Sequence, residues 1–261
     1  MSLVGKTFAS YFKDLFHINN SNSGVDATTR NVVDGEGTAS AISLSDDDFV
    51  IQPQNNDTIR PFIVRDKDGN GLFSVDSTND VVRAGIGANI VNTQIKEFGI
   101  SSSFSLPHAV DTWTAISMGT VASQARLEFG TSSTPSTSYT IDLNADDMVV
   151  HMWYVPFNIT IDSCHVWAGA DASGGDVMKF SVMSYTIDTD NGSTGGDLSS
   201  GVENCVSPST ITGAGYEQAY YQSLTISTAD VDAGKVIMAF VSQDGSNSDL
   251  SIHMQLVYHL R

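Results

Sequence analysis

The residues best suited to chemistry in this sequence are acidic. Asp66, Asp68, Asn70 and Gly71 carry the first half of a calcium loop, in which oxygen ligands at alternate positions precede a glycine that makes the sharp turn. Position twelve of that loop, where a bidentate glutamate would close the sphere, is Ser77. The same residues between two apolar runs make a hairpin turn, which is the reading favoured here. Asp46-Asp47-Asp48 and Asp146-Asp147 also gather carboxylates, but adjacent side chains on extended backbone do not point the same way, so turns or caps are expected. The six histidines, His17, His108, His151, His165, His253 and His259, are scattered, and the pair on one strand lies six residues apart, ~20 Å at the rise of a strand. No phosphate-binding loop, dinucleotide fingerprint, nucleophile elbow or HExxH motif occurs. Thirty acids could still supply a glycosidase pair, whose separation in space no sequence displays. The expectation is a protein with no catalytic residues, no metal and no cofactor.

A second chemistry is available to aromatic rings. Trp113, Trp153, Trp167 and the pair Tyr220-Tyr221 could stack on the apolar faces of sugar rings. Most aromatics of a β-sandwich are core, and that is the expectation for each unless several gather at an exposed place.

Composition narrows the classes of partner. The chain has 261 residues, a formal net charge of −18 and only 12 Lys plus Arg, so its surface repels phosphate, and neither nucleic acid nor anionic membrane is an expected partner. Much of the acid is aspartate in turn-forming contexts. Cys164 and Cys205 stand at no metal-ligand spacing and read as small buried hydrophobes with free thiols. No apolar run reaches the ~18 residues of a membrane span. Lys6, Lys13 and Asp14 interrupt what a signal peptide would keep apolar, so synthesis in a cytoplasm and release by another route such as lysis are expected.

Three segments emerge along the chain: residues 1–24, 25–103 and 104–261. In the first, Leu3, Val4, Phe8, Tyr11, Phe12, Leu15 and Phe16 form one helical stripe, with Lys6, Ser10, Lys13 and His17 opposite. A lone helix of ~15 residues is marginal in water, so something must cover the stripe. It could dock into a partner, fold back on its own β-domain or lie at a membrane interface, the last disfavoured by too few basic residues. Asn19 to Gly24 reads as a flexible linker. Residues 25–103 offer short strands with sparse apolar positions, among them the hairpin Ile59–Val64 and Leu72–Val75 and a strand from Val81 to Ile86. So small a hairpin cannot hold itself together, and identical strands from sister chains could complete its core. Val91, Ile95 and Phe98, at 4-then-3 spacing, would present a short helical seam toward the axis of such a trimer.

From Phe104 onward, eight to ten longer β-branched and aromatic runs are cut by turns. The last, Leu250 to Leu260, alternates Ile252, Met254, Leu256 and Tyr258 with Ser251, His253, Gln255 and His259, as a strand covered on one face would. Val236 to Val241 is apolar on both faces and belongs at the centre of a sheet or against a neighbouring subunit. Count and spacing suggest an antiparallel β-sandwich of jelly-roll type. The fold class expected for the whole chain is mainly β: an N-terminal helix, an intertwined trimeric stem of short strands, and a C-terminal sandwich.

The opening Gly5-Lys6-Thr7-Phe8-Ala9-Ser10-Tyr11-Phe12-Lys13-Asp14-Leu15-Phe16-His17-Ile18, the stretch Val25-Asp26-Ala27-Thr28-Thr29-Arg30-Asn31 and the run Leu72 to Val82 resemble fibre proteins of tailed bacteriophages, marine ones especially. The resemblance covers roughly the first hundred residues and rests on texture. It implies a homotrimeric virion fibre, anchored by its N-terminus to a capsid or tail protein, with a distal sandwich for surface decoration or for attachment to the host, where a surface glycan is a candidate ligand. The contrasting reading is a carbohydrate-binding or glycan-hydrolysing sandwich on an N-terminal tether.

Overall fold

Short β-branched runs punctuated by Asp, Asn and Gly can satisfy their backbone polar groups only by pairing with one another. The computed structural model describes residues 15–21, 23–85, 89–91, 93–100, 111–118, 127–141, 148–170, 177–190, 192–212, 218–244 and 250–261. The protein is mainly β, and every strand pairing among the described residues is antiparallel. Two units divide the chain, Met1–Asn92 and Thr93–Arg261. The boundary falls ahead of the one expected after residue 103, because the strand that begins at Thr93 pairs with the last strand of the chain.

The first unit holds two four-stranded meanders. Strands β1 (His17–Ile18), β2 (Arg30–Val33), β3 (Ala39–Leu44) and β4 (Phe49–Ile51) make one, and β5 (Phe62–Arg65), β6 (Gly71–Asp76), β7 (Val81–Ala84) and β8 (Asn89–Ile90) the other, each ordered as in sequence. Of the helical stripe, residues 3–14 lie outside the described residues. Leu15 and Phe16 are exposed and belong to no helix, and His17, expected on the far side of that helix, is already in β1. Nor are residues 19–24 a free linker. Asn19 N–H donates to Asn31 O, Ser23 N–H to Asn20 O, and the Asn20 amide to Gly24 O. Asn and Ser make flexible spacers, but the same side chains close local turns when a strand follows.

Aspartates close the hairpins of this unit. Asp66 accepts the backbone N–H groups of Asp68 and Asn70 and the Asn70 side-chain amide, each at 2.9 Å, while Gly69 takes φ +88°. The residues of the half calcium loop are thus the turn between β5 and β6, with Asp66 already engaged by its own backbone. Asp46–Asp48 likewise form the turn between β3 and β4, where Ser45 Oγ accepts from the N–H groups of Asp47 and Asp48. Asp146 and Asp147 lie outside the described residues.

At the β6–β7 turn, burial alone would raise the Asp76 carboxyl, but hydrogen bonds from the Asn79 side chain and from the N–H groups of Asn79 and Thr78, with Arg83 beside them, hold it below the usual range. The folded value is the depressed one. Its contribution to stability is therefore present above the ordinary Asp value of about 3.9 and is lost as pH falls below it. Hydrogen exchange should show protection factors at Thr78 and Asn79, corrected for intrinsic rate, dropping over that acid window. Protection that stays constant down to pH 2 would contradict this account of the turn.

The second unit is built from β9 (Thr93–Ile100), β10 (Thr114–Ile116), β11 (Trp153–Tyr154), β12 (Ile159–Ala170), β13 (Val177–Ile187), β14 (Leu198–Val206), β15 (Ile211–Thr212), β16 (Gln218–Ser223), β17 (Thr225–Ile226), β18 (Asp230–Val231), β19 (Lys235–Gln243) and β20 (Leu250–Leu260). A five-stranded sheet runs β16-β12-β20-β9, with β18 beside β12. A seven-stranded sheet runs β10-β19-β13-β14-β17, with β11 and β15 at its margins. The two share one core. Phe98, Cys164, Val166, Ala168, Ile252, Met254 and Leu256 from the first meet Met178, Phe180, Val182, Cys205, Ile237, Ala239 and Val241 from the second. Cys164 and Cys205 are buried free thiols on facing sheets, and a hydrogen bond between them, together with burial, pushes the Cys164 thiol well above the ordinary range.

Strand β19 is apolar on both faces because both are covered by this same chain. Its other face, Val236, Met238 and Phe240, packs with Trp113, Met183 and Tyr185 beneath Leu127, Phe129, Met148 and Leu198. The segment 127–141 crosses this layer as a strap. Trp113 Nε1–H donates to Ser132 O (2.9 Å) and the Tyr185 hydroxyl to Ser136 O (3.0 Å), while Phe129 stacks on Tyr139 with centroids 4.6 Å apart. Gly201 is a glycine of necessity here, since a Cβ would stand 2.6 Å from the Tyr185 ring and 2.8 Å from Thr137 Cα.

Candidate functional site

The site is a row of rings on the outer face of the five-stranded sheet. Strand β12 turns Cys164, Val166 and Ala168 into the core, so Ser163, His165 and Trp167 stand on the opposite face. Cross-strand register extends that face sideways. Tyr221 of β16 and His253 of β20 lie directly opposite Trp167, and Gly99 of β9 lies opposite His253. The ring centroid of Trp167 is 5.0 Å from that of Tyr221, 6.1 Å from His253 and 6.3 Å from His165. Trp167 is 42% and Tyr221 56% exposed. At ~4.8 Å between strands, the row Tyr221-Trp167-His253 spans about 10 Å.

Polar and small residues flank the row in register. On one side run Ser223, His165, Gln255 and Glu97, and on the other Ala219, Gly169 and Ser251. His165 is held at both nitrogens: Nδ1 shares a hydrogen bond of 3.0 Å with the Tyr221 hydroxyl, and Nε2 one of 3.1 Å with Ser163 Oγ. Its ring stacks on Tyr221 at an interplanar angle of 17°. His253 Nε2 stands 3.8 Å from Glu97 Oε1. A β-carbon on Gly169 would meet Ser251 Oγ at 2.9 Å, so the small row is tight and forms a low shelf beside the rings. Flat exposed rings bordered by hydroxyl, imidazole, amide and carboxylate groups can stack on an apolar face and hydrogen-bond its rim.

The chain matches no protein-family model and no curated protein.

The five aromatics singled out in the sequence separate sharply. Trp113 is core beneath the strap, and Trp153 is partly buried against Tyr258 with Lys96 over its ring. Tyr220 packs against the inter-sheet core. Only Trp167 and Tyr221 join the exposed row. His165, His253 and Glu97 were not singled out for it, although the signal was present: Trp167 and His165 occupy the polar parity of an alternating strand, as His253 does in Leu250 to Leu260.

The helical seam of Val91, Ile95 and Phe98 is corrected. Ile95 and Phe98 lie in β9, where residues three apart face opposite ways, so Phe98 is fully buried in the sandwich while Ile95 is exposed. Val91 belongs to the first unit, in the turn after β8. A 4-then-3 spacing is two-thirds compatible with a strand, and the eight register pairs with β20 decide between them. Of the docking set Leu3, Val4, Phe8, Tyr11, Phe12, Leu15 and Phe16, only the last two are described, and both are exposed.

A second exposed feature lies in the first unit. Register places Phe62, Val64, Phe73, Val75, Val82 and Ala84 on one face of β5-β6-β7, with no polar residue among them. Phe62 and Phe73 are each 37% and Val64 43% exposed. In the other sheet Ile42, Leu44, Phe49 and Ile51 share a face across β3 and β4, with Arg30 opposite Leu44 on β2. Among the described residues Val33 and Val81 are the buried hydrophobic residues of this unit, and both core clusters lie in the other one.

Proposed function

We propose that the chain is one subunit of a homotrimeric virion fibre of a tailed bacteriophage and that it catalyses nothing. In this reading residues 3–16 dock to a capsid or tail protein, the first unit builds an intertwined stem with sister copies, and the sandwich is the outward head for surface decoration or host attachment. The observation that carries it is the apolar face Phe62, Val64, Phe73, Val75, Val82 and Ala84 on β5-β6-β7, in a unit where, among the described residues, only Val33 and Val81 are buried hydrophobics. Apolar surface contributes roughly 25 cal/mol per Å² when removed from water, and a four-stranded meander without a covered face is marginal. Three identical faces meeting at an axis would cover one another without any further element. The textural resemblance of the first hundred residues adds the trimeric state and the virion setting.

A monomeric carbohydrate-binding sandwich with the first unit as tether is the second reading, and the exposed aromatic row favours it. The two differ over the apolar faces, which only the fibre uses. Alanine at Phe8, Phe12 and Phe16 together separates them: the fibre loses the protein from assembled particles while tryptophan emission, which comes wholly from the head, stays native. Incorporation at the wild-type level would contradict the anchor.

A further inference from the structure

We infer that the outer face of the five-stranded sheet binds a neutral glycan, with Trp167 as the central stacking platform, Tyr221 and His253 extending it, Gln255 and Glu97 as hydrogen-bonding partners along its edge, and His165 holding the Tyr221 ring in place. The inference deepens the proposed function and rests on its assignment of the sandwich as the outward head. Several observations favour a sugar over other occupants. A row about 10 Å long covers only a fraction of the ~800 Å² per partner that a stable protein–protein contact buries, and its neighbours in register are Ser223, His165, Gln255 and Glu97 on one side and Ala219, Gly169 and Ser251 on the other. A pyranose presents the matching pattern: an apolar C–H face for the rings and a rim of hydroxyls for imidazole, amide and carboxylate.

The geometry also limits the ligand. The rings stand in a line on a sheet face, Trp167 tilted 46° from Tyr221 and 56° from His253, and at about 10 Å the row is longer than one sugar ring, so an internal stretch of a chain fits it as well as a terminal residue. Charge selects neutral sugars. The protein carries −18, and Glu97 lies at the edge of the row near His253, so sulfated, uronic or sialylated glycans meet repulsion. His165 is pre-positioned by its two hydroxyl partners, which lowers the ordering cost of using the Tyr221 ring beside it.

The test uses the full chain on a printed array of neutral and acidic glycans, followed by titration of the strongest neutral binder into the wild type and three variants. Trp167→Ala and Tyr221→Ala should each weaken binding at least tenfold with the far-ultraviolet circular dichroism and the cooperative unfolding of the head retained, while Tyr154→Ala, an exposed ring on β11 away from the row, should leave binding unchanged. Saturation-transfer signals should concentrate on the ring protons of one sugar face in the wild type and vanish in Trp167→Ala. Binding to acidic glycans alone, no binding on the array, or neutral binding indifferent to Trp167 and Tyr221 would each overturn the assignment. Light scattering on the same samples keeps the readings apart: a monomer that still binds through Trp167 defeats the fibre and leaves the glycan face standing, and a trimer that binds nothing does the reverse.

Discussion

Phe240→Ala should destabilise the sandwich by about 3–5 kcal/mol, the usual cost of deleting a fully buried phenylalanine. Phe240 is 0% exposed, its ring centroid lies 4.7 Å from that of Phe129 and 6.4 Å from that of Tyr185, and its strand is central in the seven-stranded sheet. The cavity would open under the strap 127–141, whose hold on the sheet depends on Trp113 and Tyr185 keeping their positions for Ser132 and Ser136. All three tryptophans belong to this unit, so their emission during urea unfolding reads the head alone, and Trp113 sits in the affected cluster. The midpoint should fall with little change in slope. A loss below 1 kcal/mol would mean that the strap collapses into the vacated space and that the second core layer is loosely packed. The same layer bears on alkaline stability: burial raises the Tyr185 phenol, so its contribution is full below the ordinary tyrosine value of about 10 and is lost as pH climbs above it.

Phe62→Asp together with Phe73→Asp should abolish self-association while the head stays folded. The two rings meet edge to face at 6.1 Å, in the middle of the apolar face of the second meander. Two carboxylates in a face packed against its own copies bring six charges to a trimer axis, and their desolvation is far costlier than the apolar contact they replace. In a chain whose first unit stands alone, the same substitutions are solvated and change little, because both side chains are already more than a third exposed. Analytical ultracentrifugation of the double variant should give the monomer mass with native tryptophan emission. An unchanged mass distribution would contradict the use of this face.

The head was largely legible because its strands obey a period of two over long runs. Ile252, Met254 and Leu256 against Ser251, His253 and Gln255 announced both the strand and its covered face, while the two-sided run Val236 to Val241 left the centre of a sheet and a neighbouring subunit open until β10 and β13 were found on its two sides. Strand β14, Leu198–Val206, was not foreseen. Its Ser199-Ser200-Gly201 start has poor strand propensity, and two register shifts against β13 together with Ser200 at φ 51° break its alternation. Its place is fixed from outside, by the close approach of Gly201 to Tyr185. In the first unit the hairpin Ile59–Val64 and Leu72–Val75 could be read directly, yet its unbroken apolar face emerges only once the register is known. Conversely, Val91, Ile95 and Phe98 looked helical because few residues sample a short period, and a pairing with β20, more than 150 positions away, decided the matter. The aromatic row was hidden the same way: Trp167, Tyr221 and His253 come from three strands and share a face only after pairing, so composition could name two of its members without assembling them.

The light-scattering mass of the purified full chain at micromolar concentration tests the central claim most directly. If the apolar faces of the first unit are completed by sister copies, the mass is three times the 27.8 kDa of one chain. A stable 27.8 kDa species with a cooperatively folded first unit would contradict it.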